Sequence, residues 1–158
     1  MRLRPLPLVL AFASLFAIAC TDDAPTVEPV DGNWNYFEMG VEENTCPATV
    51  VPLTPSSTFL LDYDGGDSFQ IEQVDQPDVQ CNLTGGDDFT CPTRQVSSSE
   101  VEALNLTLEG YIRIDGSFDS DAEAHGEQLV TIECVGEGCG ALDDIPCSYR
   151  LPFTAEAQ

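Results

Sequence analysis

Residues 80–92 read QCNLTGGDDFTCP. Gly85 and Gly86, followed by two aspartates, are turn residues, and the residues on either side of them are matched. Leu83 and Phe89 are equidistant from a five-residue loop, and so are Cys81 and Cys91. Side chains on a strand alternate between faces, so a hairpin in this register sets the two sulfurs opposite each other, on the face that carries Leu83 and Phe89. The spacing predicts an antiparallel hairpin closed by a Cys81–Cys91 disulfide.

The same pattern extends in both directions. Trp34 and Tyr36 alternate with Phe37, Met39 and Val41; Phe59, Leu61 and Tyr63 share a face; Phe69 and Ile71 follow the DGGD turn. Farther on, Leu104, Leu106 and Leu108 align, then Ile112, Ile114 and Phe118, then Val130 and Ile132, and finally Tyr149, Leu151 and Phe153. Short alternating runs between Gly, Asp, Asn and Pro clusters predict an all-β fold. The expected architecture is one antiparallel meander over residues 32–158, a small barrel or a sandwich with one buried and one wet face. The helix candidate is SSSEVEAL, Ser97 to Leu104, where Ser98 or Ser99 could cap a single turn. Near the C-terminus a second hairpin sets Val130 against Leu151, Ile132 against Tyr149 and Cys134 against Cys147, which leaves Cys139 for Cys46. Up to three disulfides would then brace the domain. A zinc site is the rival use of these cysteines, but their spacings form no paired C-x-x-C knuckles.

The chain has seven cysteines, and the seventh is Cys20. Arg2 and Arg4 precede an apolar run from Leu6 to Ala19. At about 1.5 Å per residue this run spans roughly 21 Å as a helix, short of a bilayer core but suited to a signal peptide over residues 1–19. Ala17-Ile18-Ala19 satisfies the A-x-A cleavage rule. With Cys20 the same residues resemble a bacterial lipobox, Ala17 standing where leucine is usual. The resemblance to bacterial lipoproteins covers residues 1–23. It implies a diacylglyceryl thioether on Cys20, usually with a third acyl chain on its amine, and membrane attachment through that lipid. Thr21, by the sorting rule known in enteric bacteria, directs such a protein to the outer membrane. Parity agrees: without Cys20 an even six cysteines remain to pair in an oxidising compartment. Residues 20–31, rich in acids and proline, read as a tether.

The chain has no lysine, and removal of Arg2 and Arg4 leaves a net charge of −25. Such a chain repels phosphate backbones and anionic headgroups, which excludes nucleic acid as a partner. A protein or small-molecule partner stays open. Two acidic stretches are candidates for calcium, which prefers clustered oxygens. In DYDGGD, Asp62, Asp64 and Asp67 surround two glycines, though Asp and Gly are equally the residues of a hairpin turn. In DSDAEAHGE, the acids Asp119, Asp121, Glu123 and Glu127 alternate with His125 along one expected strand face. Asp119, Asp121 and Glu123 are the proposed calcium ligands, and a solvated face is the plain alternative. No catalytic constellation is identifiable: His125 is the only histidine, and no serine or cysteine can be assigned to it.

Gly32-Asn33-Trp34 resembles the G-x-W that opens the first strand of lipocalin-like barrels. That resemblance implies a closed barrel with an apolar lumen, and an arginine of the last strand, here Arg150, packed over Trp34. Trp34 as an ordinary core residue is the other reading. The sequence thus points to a membrane-anchored envelope protein with a binding or structural β domain. Its alternatives are a carrier of an apolar small ligand or, with least support, a secreted hydrolase.

Overall fold

The structure, a computed structural model, describes residues 27–47, 57–73 and 77–158. The expected signal peptide, Cys20 and the start of the expected tether lie outside the described residues. Eight strands follow one another: β1 (Gly32–Glu38), β2 (Ser57–Asp62), β3 (Ser68–Glu72), β4 (Val79–Gly85), β5 (Asp88–Val101), β6 (Leu106–Ser120), β7 (Glu123–Gly136) and β8 (Cys147–Ala157). Each pairs antiparallel with the next, and β1 pairs with β8, so the meander closes as a barrel and not as a sandwich. Closure satisfies the outer backbone groups of the first and last strands, which an open sheet would leave bare.

The alternation read from the sequence becomes the inside and outside of this barrel. Along β8, Cys147, Tyr149, Leu151, Phe153 and Ala155 are buried while the residues between them are not. On β1, Trp34 and Tyr36 point inward, and Phe37 is left 41% exposed on the outer face. DYDGGD is a turn between β2 and β3, with Gly65 and Gly66 at φ 85° and 132°, conformations in which a side chain would be strained.

The β4–β5 hairpin has the expected register, with Leu83 opposite Phe89 and the Cys81–Cys91 disulfide formed. The other two predicted bridges are corrected: Cys46 bonds Cys147, and Cys134 bonds Cys139. Two facts account for this. The β7–β8 register is two residues away from the expected one, so Cys147 lies opposite Ile132, and Cys134 lies beyond the end of β8. The chain leaving β1 also continues alongside β8. Met39 N donates to Pro152 O, Glu42 and Arg150 exchange backbone bonds, and Thr45 N donates to Ser148 O at 2.9 Å. That run delivers Cys46 to Cys147, while the turn Glu137–Ala141 carries Cys139 back to Cys134.

Three further expectations change. The helix over Ser97–Leu104 is instead strand through Val101, followed by a 3₁₀ turn at Glu102–Leu104 with no serine cap. There β6 offers a ladder from Ser97–Gly110 to Val101–Leu106, and backbone groups paired in a sheet have no need of a helix. DSDAEAHGE does not run along one strand, because the chain turns at Asp121 and Ala122 between β6 and β7. Finally, the tether expected through Asp31 already packs from Val27. Val27 lies against the core, Pro29 is buried, and Val30 N donates to Asp121 O.

Candidate ligand-binding lumen

The barrel interior is apolar and aromatic. Trp34 is 0% exposed, stacked 6.2 Å from Phe59 and edge-on to Phe118. Its indole N–H donates to Val30 O at 3.1 Å, so the N-terminal segment holds the ring in place. Phe69, Phe89 and Phe118 contact one another with ring centroids 4.9–5.4 Å apart, the spacing at which ring edges and faces attract. What space remains is a cavity of about 40 Å³. Ligand sites for drug-sized molecules run to about 300–1,000 Å³, so this lumen is largely filled by its own side chains.

Two glycines shape the wall. Phe89, Gly116, Gly126 and Phe153 lie in one row across β5, β6, β7 and β8. A Cβ on Gly116 would stand 2.5 Å from Phe89 Cζ, and one on Gly126 would stand 2.8 Å from Phe153 Cζ. The rings occupy the space that side chains at these positions would need, an aromatic covering of backbone that keeps the row close-packed.

Polar groups in the lining are few. Gln128 Nε2 donates to the Tyr36 hydroxyl at 2.5 Å. Burial, and after it the charge of Glu38, pushes the Tyr36 phenol well above its ordinary range. At another point of the lining stand Gln73 and Arg94. Arg94 reaches the inner face through a bulge. Cys91 opposes Ile114, but the next pairing sets Arg94 against Ile112, a register shift of one residue. Without that shift, alternation from inward Phe89 and Cys91 would turn Arg94 outward. Its Nη1 donates to Pro77 O at 2.7 Å and its Nη2 to Gln73 Oε1 at 3.3 Å. Partial burial pulls the guanidinium down from its usual value.

The residues singled out in the sequence fall in different places. Trp34 lines the lumen, but Arg150 does not pack over it. Arg150 stands between buried Tyr149 and Leu151 on β8 and so faces outward, where its guanidinium pairs with Glu43 at 2.7 Å and with Glu127. Asp119 is turned to His125, with Oδ2 and Nδ1 2.8 Å apart. Asp121 is at the tip of the β6–β7 turn and Glu123 begins β7. The turn separates the three proposed calcium ligands, and no group of three or more metal-binding side chains occurs among the described residues. Sequence reasoning missed Arg94, Gln128, Gly116 and Gly126. For Arg94 a signal was present: Pro92 in the middle of β5 cannot donate to a ladder, and proline within a sheet marks an edge or a bulge.

Comparison with protein-family models, with curated proteins and with solved structures finds no match to this chain.

Proposed function

We propose that this chain is an exported lipoprotein, anchored through acyl chains on Cys20 to the outer membrane, whose disulfide-braced barrel is a binding or structural module of the cell envelope. The supporting observation is cysteine bookkeeping in three dimensions. Six cysteines pair with one another in the barrel, and the seventh stands where the leader meets the lipobox-like residues. Three disulfides fit an oxidising compartment outside the cytoplasm. Several acyl chains, at about 0.8 kcal/mol per buried methylene, suffice for a stable anchor. No helix among the described residues is long and apolar enough to cross a membrane. Cys20→Ser should move the protein from the membrane fraction to the soluble envelope fraction or leave its leader uncut. A cleaved Cys20→Ser protein that stays with the membrane would refute the anchor.

A closed eight-stranded meander with Trp34 inside at its first strand favours a second reading, a carrier of a small ligand of apolar character. The hydrolase reading draws less support. His125, the only histidine of the chain, stands 2.8 Å from Asp119, and the sequence assigns no serine or cysteine nucleophile to it.

A further inference from the structure

The three disulfides differ in access. Cys81 and Cys91 are 0% and 1% exposed inside the barrel, and Cys46 and Cys147 are 7% and 4% exposed. Cys134 and Cys139 are both partly exposed. An attacking thiolate must reach a sulfur, so burial protects two bridges and leaves the third open to exchange. Exposed disulfides are the labile ones.

The third bridge also lies where the fold can spare it. It stands past the last β7–β8 pair, Ile132 opposite Cys147, and closes the turn Glu137–Ala141 onto β7. Cys134 itself is held in the ladder to β6, opposite Leu108. The turn packs closely on the β5–β6 connection, where a Cβ on Gly138 would stand 1.8 Å from Leu104 O. Gly138 N donates there to Asn105 O, but at 3.4 Å the bond is long and weak. The disulfide is the stronger tie.

We propose that Cys134–Cys139 is a thiol–disulfide exchange site, reduced and reoxidised by a protein dithiol, whose reduction releases the Glu137–Ala141 turn while the barrel stays closed. A thiolate of the partner attacks one sulfur of the bridge, the S–S bond breaks, and the displaced cysteine takes up a proton. The partner's second thiol loses its proton and attacks the mixed disulfide, which frees the other cysteine as a thiol. The partner, having given two electrons, leaves as a disulfide. Two features select a dithiol over glutathione. The cysteines are 5 residues apart, so the freed one stays beside a mixed disulfide and expels a monothiol, restoring the bridge. Glutathione is also an anion, and Glu133 and Glu137 flank the site on a strongly acidic chain. The proposal rests on the chain being exported, where its bridges form; anchoring at Cys20 is tested apart from it.

The native mature protein is incubated with reduced thioredoxin or, at equal thiol concentration, with glutathione, then alkylated with iodoacetamide. Cleavage at acidic residues separates Cys134, Cys139 and Cys147, so peptide masses locate the label against an unreduced control. Thioredoxin should open Cys134–Cys139 at least about tenfold faster than either buried bridge. Oxidised thioredoxin should close it again. Glutathione should open it at least about tenfold less than thioredoxin does. Backbone amides of residues 137–142 should then exchange about tenfold or more faster with deuterium, while those of β8 stay protected. Equal reduction of all three bridges, or first labelling at a buried one, would overturn the site. Equal action of glutathione would overturn the dithiol partner, and unchanged exchange at residues 137–142 would overturn release of the turn. Loss of β8 protection on reduction would make the bridge a structural brace and reject the switch. The Cys134→Ser/Cys139→Ser variant should show the fast-exchanging turn without any reductant, and a protected turn in it counts against release. Should that variant fail to fold, the labelling and exchange of the wild type decide.

Discussion

At the scale of single residues, Tyr36 shows how burial couples to pH. Its hydroxyl accepts from Gln128 inside the barrel, and burial followed by the Glu38 charge raises its pKa in the folded state. An unfolded tyrosine titrates near 10.0. Below that pH both states keep the proton and the full stabilisation is present. Above it the unfolded state loses its proton first, so stability falls as pH rises, by up to about 1.4 kcal/mol per unit for each such group. Tyr149, raised by burial and then by Glu38, adds to the same decline. Tyr36→Phe should cost about 1–3 kcal/mol at pH 7 by leaving Gln128 without its acceptor. The deficit should shrink between pH 10 and 11, as the variant no longer pays for a buried phenol. Urea midpoints at pH 7, 9, 10 and 11 check this, and a constant gap would show that Tyr36 ionises equally in both states.

At the scale of elements, the β6–β7 hairpin carries the wall of the lumen. Its two glycines face each other, Gly116 opposite Gly126, with a phenylalanine on either side in the flanking strands. Gly126 has no unusual φ; its requirement is space. A Cβ there would strike Asp115 O and stand 2.7 Å from Gly116 Cα. Backbone cannot yield as a flexible side chain can, so Gly126→Ala should destabilise by about 2–3 kcal/mol. Gly140→Ala is the control, since nothing lies within 4 Å of its would-be Cβ. Chemical denaturation of both variants tests the argument, and equal midpoints would refute it.

At the scale of the whole molecule, the disulfides differ in how much chain they restrain. Cys46–Cys147 joins residues 101 apart, Cys81–Cys91 residues 10 apart, and Cys134–Cys139 residues 5 apart. On the chain-entropy account these loops correspond to about 4.7, 2.7 and 2 kcal/mol. Replacing each pair by serines should therefore lower the melting temperature in that order. The long bridge also fixes the run after β1 against β8, where Glu42 pairs with Arg150. If the Cys134/Cys139 double variant melted lowest, strain or local packing would outweigh loop closure.

Alternation, turn residues and the matched spacing of Cys81 and Cys91 about their loop made the all-β meander and the Cys81–Cys91 hairpin legible in the chain, because each depends on neighbours a few residues apart. A period of two says which residues share a face, and a tight turn sets which of them meet. Register farther from a turn is different. The β7–β8 pairing is joined through the turn Glu137–Ala141 and a further stretch to β8, and a slip of two residues keeps every side chain on its face. Hydrophobic pattern therefore could not tell Cys134–Cys147 from the bridges that form. Closure of β1 on β8, and the run that brings Cys46 to Cys147, became visible only in the fold. The same holds for Arg94 and Arg150. Both lie in alternating strands, but one residue of bulge turns Arg94 inward, while an unbroken β8 keeps Arg150 outside with Glu43 and Glu127. Which face a side chain meets is a matter of backbone register, and register is set by the closed barrel acting on all its strands at once.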